Sequence, residues 1–434
     1  MSTSLSKYLT RTNYLNLLFA TIPISFIAGN TAINANIVLL VISTFFLYGR
    51  NPFKIKYYLL DKIIILFFLV TLFTGFFNNL YLYYSDIKDF PKDFTIIIKS
   101  LSYLRYFALY LVIRFLIEKK ILDFKYFFIS CFVFSIFVSL DIFYQLTFGK
   151  DIFGFEASGR KLSGPFGDEL IAGSYLQRFS LFSFFLFPIF FNIETKKIIK
   201  FLIPLLFIVF FSAIIISGNR MPLILFILGI SALLVFQKET RKYLPMFVLV
   251  FSLTFLVIFK FNSTVRYNFI NFYSQVDGII KTSILKKSDN PYSDYSKQFN
   301  SFYDTWLMNK YIGGGIKSFR YYCHVRPNID KNSKFKCNMH PHNYYLEILT
   351  ETGIIGFLII ASIFFITLYI SFFKKYFTDS KLKNNHIITP FIFLFLIEIF
   401  PIKSTGSFFT TSNATFIFLI IAVIIALARK ENLN

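Results

Sequence analysis

The sequence has few charged residues for its length. Charged side chains make up 16% of the 434 residues, whereas they make up about a quarter of an ordinary soluble chain. Apolar residues account for 56% and come in long runs rather than in alternation. A water-soluble domain of this size is therefore excluded, and the sequence predicts an all-α, polytopic membrane protein.

Acidic residues are the scarcer charge class, since 23 Asp and Glu stand against 45 Lys and Arg. In a soluble protein the net charge of +22 would favour a nucleic-acid partner. However, 63 Phe residues, with abundant Ile, Lys and Asn, indicate an AT-rich codon supply, which raises the Lys content whatever the partner. We therefore expect no nucleic-acid partner.

Histidine and cysteine are also rare, with four and three residues. The His-x-His pattern at His340 and His342 has no neighbouring acidic or cysteinyl cluster, so it is a poor zinc signature. We therefore expect no metal in the site. Cys131 lies in an apolar run, where it is predicted to be a small buried hydrophobe.

The chain does contain a series of apolar runs, such as 201–217, 244–259 and 353–373. Runs of this length cross, or nearly cross, a hydrocarbon core of about 30 Å at about 1.5 Å per residue. In lipid the backbone must satisfy its own hydrogen bonds, so each run should be a helix. Because the first run lacks a small-residue cleavage site, we expect no removable signal peptide. About twelve helices are predicted, at 14–29, 33–48, 59–80, 95–115, 126–147, 178–192, 201–217, 221–236, 244–260, 353–373, 388–401 and 413–428.

The connections between these helices form two alternating sets that differ in charge. One set is basic throughout, from Lys7 and Arg11 to Arg429 and Lys430, whereas the other holds few cations. By the positive-inside rule, the basic set and both termini are cytoplasmic. The other set includes a glycine-rich segment at 148–177. The predicted division is an N-terminal bundle of nine helices (1–260), one large extracytoplasmic loop (261–352) and three C-terminal helices (353–434).

Two of the three cysteines, Cys323 and Cys337, fall in the large loop. In an oxidising compartment outside the cytoplasm this pair could form a disulfide. Two free thiols are the alternative.

The strongest local signal lies where the large loop re-enters the membrane. There the motif His340–Asn343 is followed by Glu347 and Glu351. Imidazoles at a water–lipid boundary titrate near neutral pH and can act as general bases. A single His is more often a satisfied surface residue, but three of the four fall between 324 and 342. The two carboxylates could orient an imidazole or could simply favour the helix dipole.

The spacing of His342 and Asn343 from Gly353 and Gly356 resembles the signature of the O-antigen ligase and O-antigen polymerase superfamily. Three other segments add to the likeness. The segment 306–320 resembles the family's run from a Trp, through a glycine-rich turn, to an aromatic residue. The segment 217–220 resembles an arginine motif between two mid-chain helices, and 163–168 resembles a glycine-rich outer loop. At 167–170, Gly-Asp-Glu-Leu replaces the more usual Asn-Pro pair, so this loop is given no precise role.

The resemblance implies a protein of the bacterial inner membrane that transfers a glycan to a hydroxyl acceptor on the periplasmic face. The donor would be an undecaprenyl-pyrophosphate-linked glycan, used without metal, nucleotide sugar or other cofactor. The acceptor would be a lipid A core in a ligase and another glycan repeat in a polymerase. The His–Asn–Gly signature favours the ligase. A twelve-helix transporter or flippase of lipid-linked glycans is the alternative from another class, although no two halves of the chain repeat.

The predicted site combines this resemblance with the chemistry of the leaving group. A pyrophosphate needs cations in a metal-free site, and arginine can hold its oxygens bidentately. Arg320 also follows Gly313–Gly315, whose backbone could approach an anion closely. The alternatives are an interfacial anchor for Arg220 and an exposed loop charge for Arg320. The predicted roles are general base for His342, its partner for His340, pyrophosphate binding for Arg220, Arg320 and the weaker candidate Arg160, and support for Asn343, Gly353, Gly356, Gly313 and Gly315.

Four charged residues, Lys99, Arg105, Asp141 and Glu398, fall inside predicted helices. Charge is costly within a membrane, so such residues usually face a cavity or each other. Arg105 could form a structural ion pair with Asp141 or Glu398. The alternative is that these charges line a groove for a polyprenyl phosphate.

Overall fold

The computed structural model describes residues 11–84, 93–157, 161–191, 195–284, 294–326, 337, 341, 343–378, 380–403 and 406–430. Within these ranges the regular structure is helical, apart from one isolated bridge between Lys150 and Glu156. The main helices are α1 (Arg11–Ala20), α2 (Ile22–Ile27), α3 (Asn30–Tyr48), α4 (Leu59–Tyr84), α5 (Thr95–Glu118), α6 (Phe124–Phe148), α7 (Ala172–Phe190), α8 (Thr195–Ile216), α9 (Arg220–Phe236), α10 (Leu244–Phe261), α11 (Ser263–Ile284), α12 (Asp294–Met308), α13 (Phe319–Val325), α14 (Tyr344–Leu368), α15 (Ile388–Glu398) and α16 (Thr411–Lys430).

The predicted all-α membrane architecture is confirmed. Among the described residues, seven helices are long and apolar enough to cross a membrane, and four shorter apolar helices accompany them. A helix overlaps each predicted segment. Three helices begin six or more residues earlier than predicted: α7 at Ala172, α8 at Thr195 and α14 at Tyr344.

Helix α16 lies at the centre of the bundle. Its side chains from Asn413 to Ala428 are all buried, and it packs against α3, α5 and α15. A helix that is buried around its whole circumference needs apolar residues on every face, as the sequence of α16 provides.

Helix α10 lies at the periphery, since none of its residues is buried. Leu249, Leu253 and Leu256 lie one turn apart and are each more than half exposed. This exposed apolar stripe is the face that a peripheral helix presents to lipid tails.

The bundle has two distinct ends. The loop end carries the segment 261–352, which contains α11, α12, α13 and the start of α14. At the opposite end, the start of α4 lies next to the ends of α5 and α16. Arg114 of α5 and Arg429 of α16 both contact Asp61 of α4 there. The predicted site residues that the structure describes belong to the loop end. The three-part division of the chain stays a prediction.

Candidate functional site at the loop end

The helix that follows the histidine motif is interrupted at Gly353. This residue has φ 65° and ψ −172°, so α14 consists of two helical pieces. The interruption leaves carbonyl and amide groups of α14 without intrahelical partners. The segment 310–315 supplies the missing partners through backbone bonds from Gly314 to Thr350 (3.1 Å), Gly315 to Glu351 (2.8 Å), Ile354 to Lys310 (2.9 Å) and Ile355 to Tyr311 (3.2 Å).

Glycine is required at this junction because backbone lies directly on backbone. A Cβ atom at Gly353 would come within 2.2 Å of the Tyr311 carbonyl oxygen, and one at Gly313 within 2.4 Å of the Glu351 carbonyl carbon. Both glycines also have a positive φ that other residues rarely adopt. At Gly315 a Cβ would meet the Ile96 side chain at 2.6 Å. The glycines therefore lock the 310–315 segment into the break of α14.

This arrangement corrects one expectation about the glycine-rich turn. The sequence suggested that its backbone could approach an anion. Instead, the amides of Gly314 and Gly315 donate to helix carbonyls. These two donors are consequently occupied, and any anion at this turn must be bound by side chains. Gly356 has a different neighbour, since a Cβ there would meet the Thr352 side chain one turn earlier in α14.

Asn343 fixes the start of α14. Its side-chain oxygen accepts hydrogen bonds from the amides of Tyr345 (3.0 Å) and Leu346 (3.1 Å), which makes it the N-cap. Its amide nitrogen donates to the Pro401 carbonyl at 2.9 Å and so ties α14 to the turn after α15. Capping bonds of this kind contribute about 1 kcal/mol. His340 and His342, which immediately precede this cap, lie outside the described residues.

A buried ionic network adjoins this cap, and we call it the loop-end network. The Glu398 carboxylate lies 2.6 Å from the Arg178 guanidinium and 2.5 Å from the Lys403 ammonium. The Tyr344 hydroxyl donates to the same carboxylate oxygen at 2.7 Å and accepts from Lys403 at 3.0 Å. Arg178 also donates to the Asn413 side-chain oxygen at 2.6 Å.

The loop-end network holds two cations and one carboxylate, so it carries a surplus positive charge in a buried place. The side chains of Arg178 and Lys403 are only 9% and 5% exposed. Burial lowers the pKa of Lys403 to about 8, although the adjacent Glu398 carboxylate opposes that shift. Because Tyr344 directly follows Asn343, this surplus charge lies beside the residue that begins the helix after the histidine motif.

The network overturns the predicted pairing of Arg105 with Asp141 or Glu398. Arg105 donates instead to the Ser102 carbonyl and to the Tyr106 hydroxyl. Asp141 accepts from the Ile152 amide at 2.8 Å and so holds the segment after α6. Glu398 is paired with Arg178 instead. The prediction put Arg178 at the start of a helix, but α7 begins six residues earlier, so Arg178 lies in its second turn. Lys99 is exposed near the start of α5.

A second buried carboxylate connects α14 to the C-terminal segment. Glu347 accepts hydrogen bonds from the Ser407 hydroxyl and the Phe408 amide, both at 2.5 Å. The Lys317 ammonium, just beyond the glycine-rich turn, lies 3.4 Å away. Glu351, one turn on, is also buried, and one of its oxygens has no hydrogen-bond partner among the described residues. Both carboxylates are therefore buried, and neither is a solvent-exposed acid that only favours the helix dipole.

Arg220 is the first residue of α9 and follows the turn 217–219. Its guanidinium lies over the Phe272 ring of α11, 5.5 Å from the ring centroid. The glycine-rich segment packs on the same turn, since the Leu162 amide donates to the Ser217 carbonyl at 3.3 Å. A Cβ at Gly173 would come within 2.7 Å of the Ser217 hydroxyl. The structure therefore brings together the two outer segments that the motifs singled out.

The other predicted arginines have different environments. Arg320 is exposed in the first turn of α13, immediately after the buried Phe319. Arg160 lies outside the described residues. Pyrophosphate binding by any of these arginines stays a prediction.

Cys323 and Cys337 form a disulfide with a Cα–Cα distance of 5.6 Å. Arg326 donates to the Cys323 carbonyl at 2.6 Å and to the Ser301 hydroxyl at 3.2 Å. The disulfide thus joins α13 to the segment that leads into the histidine motif. Cys131 is free and buried, as its apolar surroundings predicted.

In the part of the chain that the structure describes, no group of three or more His, Cys, Asp or Glu side chains is arranged to hold a metal ion. The loop-end network offers mainly cationic groups, which suit an anionic ligand.

The family model described as O-antigen ligase matches residues 205–361. This range runs from α8 to the middle of α14. It includes Arg220, Arg320, the disulfide and the histidine motif, whereas the charged residues of the loop-end network lie outside it. The comparison with curated proteins gives no match. The resemblance predicted from the motifs is confirmed over residues 205–361, where the chain matches the O-antigen ligase family model.

Proposed function

We propose that this protein is a membrane glycosyltransferase that moves a glycan from an undecaprenyl-pyrophosphate-linked donor to a hydroxyl acceptor. The observation that carries the proposal is the surplus positive charge of the loop-end network, which adjoins the helix cap directly after His342. A pyrophosphate leaving group carries concentrated negative charge, and fixed cations in a buried site stabilise such charge more strongly than they would in water.

In the proposed reaction, His342 accepts the proton of the acceptor hydroxyl. The hydroxyl oxygen then forms a bond to the anomeric carbon of the donor sugar. The bond from that carbon to the pyrophosphate oxygen breaks, and the electron pair leaves with undecaprenyl pyrophosphate. Arg220 and Arg320, with Arg160 as a weaker candidate, bind the departing pyrophosphate, while His340 orients the base.

The loop-end network has a positioning role in this proposal. Arg178, Glu398 and Lys403 hold Tyr344, and Asn343 is bonded to Pro401. These bonds fix the N-terminus of α14, so the histidines that precede it are presented from a rigid support. The surplus charge also raises the positive potential around the leaving group.

The proposed setting is the bacterial inner membrane, with both termini cytoplasmic and the loop end facing the periplasm. The basic loops at the opposite end support this orientation, because Lys and Arg are enriched on the cytoplasmic side of membrane proteins. A periplasmic loop end also suits the Cys323–Cys337 disulfide, since disulfides persist in oxidising compartments. Membrane lipids are then the immediate surroundings of the donor's polyprenyl chain.

Between the two members of the superfamily we propose the ligase, whose acceptor is a lipid A core. The matching family model is described as O-antigen ligase. A polymerase would use the same class of donor and extend a glycan repeat instead.

Deleting the gene and separating the lipopolysaccharide on a gel distinguishes these outcomes. Loss of all attached chains, with accumulation of lipid-linked polymer, is expected for a ligase. A core that carries a single repeat would identify a polymerase. Unchanged lipopolysaccharide and surface polysaccharide would contradict the proposed function.

A further inference from the structure

A cavity of about 630 Å³ lies at the end of the bundle opposite the large loop. It is formed by the finish of α3, the connection that follows it and the finish of α5. Its apolar wall comes from Tyr48, Ile55, Phe115 and Ile121, and the Tyr48 and Phe115 rings pack edge to face at 5.4 Å. Among the described residues, Arg220 and Arg320, which are assigned to glycosyl transfer, do not line this cavity.

The polar lining of the cavity is strongly basic. Lys54, Lys56 and Lys119 line it, and Glu118 is the one acidic residue among the described residues of the lining. The Glu118 carboxylate is already paired, because it lies 2.7 Å from the Arg114 guanidinium. Neither Lys54 nor Lys119 has a salt-bridge partner among the described residues. The cavity therefore presents three positive charges that no carboxylate of its own lining offsets.

The buried Arg114 contacts the backbone and side chains next to the basic lining. Arg114 is fully buried, and besides Glu118 it contacts Asp61 and donates to the Lys56 carbonyl at 2.5 Å. The Lys56 ammonium lies over the Tyr58 ring, 5.2 Å from its centroid. These contacts hold the backbone at Lys56 and, through Glu118, the end of α5 next to Lys119.

The cavity also adjoins the surface that faces lipid. Phe46, two residues before the end of α3, is 87% exposed, and Leu59 at the start of α4 is 69% exposed. Phe53, which is half-exposed, stacks on Phe45. These apolar side chains place the mouth of the cavity at the boundary between lipid tails and headgroups. A ligand there would have an anionic head beside the lysines and apolar chains along α3.

We propose that this cavity binds an anionic membrane phospholipid, with the lipid phosphate between Lys54, Lys56 and Lys119. Basic pockets between membrane helices recognise anionic headgroups through such charges, and each Lys adds to the attraction. A zwitterionic phosphatidylcholine headgroup lacks the net charge that the three ammonium groups favour. The site is independent of the glycosyltransferase proposal, since it lies at the other end of the bundle.

The test uses the full-length protein in detergent, with native mass spectrometry to count retained lipid at increasing phosphatidylglycerol. Phosphatidylcholine and inorganic phosphate serve as separate arms. The test variant is Lys54→Gln/Lys56→Gln/Lys119→Gln. The matched control is Lys238→Gln/Lys242→Gln/Lys381→Gln, which removes three exposed lysines of other basic loops. The control also removes a comparable ammonium–ring contact, because Lys242 lies 5.2 Å from the Tyr243 ring.

Wild type and control are expected to retain phosphatidylglycerol equally, and the cavity variant to bind it about tenfold more weakly or worse. Equal weakening in the control, or equal retention of phosphatidylcholine by wild type, would overturn the proposal. Displacement of the lipid by millimolar inorganic phosphate would identify a free-anion site and overturn the lipid assignment. Should the triple variant unfold, Lys119→Glu on its own gives the same reading, and undiminished phosphatidylglycerol binding by that variant would contradict the proposal.

Discussion

The two ends of this protein each contain a buried ionic network, and the two differ in their charge balance. At the opposite end, Arg114 and Arg429 both contact Asp61, and Arg114 also contacts Glu118. We call this the opposite-end network. It has two cations and two carboxylates, and the Tyr110 hydroxyl adds a hydrogen bond to Asp61. The loop-end network also has two cations, Arg178 and Lys403, but only one carboxylate, Glu398, to offset them.

The difference separates a structural role from a functional one. Burying charge is costly, and even a balanced buried network is weak evidence for stability, because desolvation opposes the attraction. The opposite-end network joins α4, α5 and α16 without an excess of either sign, which suffices to hold helices together. The surplus cation of the loop-end network adds a cost that packing does not require. In the proposed function, an anionic substrate that binds next to this cation accounts for that cost.

The largest expected effect on stability comes from removing the single carboxylate of the loop-end network. Glu398→Gln leaves Arg178 and Lys403 buried beside each other without a counter-charge, which should cost about 3–5 kcal/mol in the free energy of unfolding. Glu118→Gln is the matched control, because Arg114 retains Asp61 and the Glu118 side chain is 20% exposed. The control should cost less than about 1 kcal/mol. Unfolding in detergent measures both, and equal losses would show that the charge surplus is unimportant.

The next effect concerns the rate of transfer. Arg220→Ala and Arg320→Ala should each slow it by about 10²–10³, because each removes a cation that the leaving group needs in the transition state. Lys should restore little, since it offers a point charge in place of a planar fork. Arg266→Ala is the control, because Arg266 is exposed on α11 within the same large segment. Full activity in either test variant would remove that arginine from the site.

The disulfide provides a third contrast, because the described residues of the opposite end contain no such link. Replacing Cys323 and Cys337 by Ser should destabilise the segment that precedes the histidine motif, by roughly 3 kcal/mol in the chain-entropy account. Cleavage of the large loop by a protease, compared between the variant and wild type, measures this local effect. A mass-spectrometric count of free thiols in the unreduced protein provides the check, and finding both sulfurs free would refute the link.

The smallest effect is a pH dependence that only the loop end should show. Above about pH 8, Lys403 loses its proton and the surplus charge disappears, so the transfer rate should fall roughly fivefold between pH 8 and pH 9. Stability should change in the opposite direction. The folded state binds this proton less tightly than the unfolded chain does, so the free energy of unfolding rises as the pH increases above about 8.

Lys403→Arg tests this pH dependence because arginine keeps its charge over the whole range. The variant should retain its transfer rate up to pH 9. The same decline in both proteins would assign the pH dependence to another group.

The sequence predicted the helices well and the ionic networks poorly. Apolar runs and basic loops specify the order of the helices because each feature is local. The contact between Arg178 and Glu398 joins residues 220 positions apart, and no local pattern encodes it. The predicted start of the helix at 178 also placed Arg178 at a helix edge, whereas it lies in the second turn of α7. A usable signal existed, since Lys403 is one of the few cations of the cation-poor loops and Arg178 lies at the edge of a predicted helix next to such a loop.

For the motif residues, the sequence predicted which residues belong together but not which contacts they make. The motifs that contain Gly353 and the glycine-rich turn were assigned to one predicted site, but neither motif indicated a turn that bonds to a broken helix. That outcome depends on backbone groups of Thr350 and Glu351 which only the kink exposes. Asn343 could be assigned to the motif from sequence, whereas its bond to Pro401 required the fold.

The central claim is that the loop end transfers a glycan with His342 as the base and without a metal. The most direct test is transfer by purified protein in detergent, with a defined lipid-linked donor and acceptor, comparing wild type, His342→Ala and His340→Ala, each with and without EDTA. We expect His342→Ala to abolish transfer while the protein remains folded in the membrane fraction, and EDTA to leave wild type unchanged. Near-wild-type transfer by His342→Ala, or loss of wild-type activity in EDTA, would contradict the account.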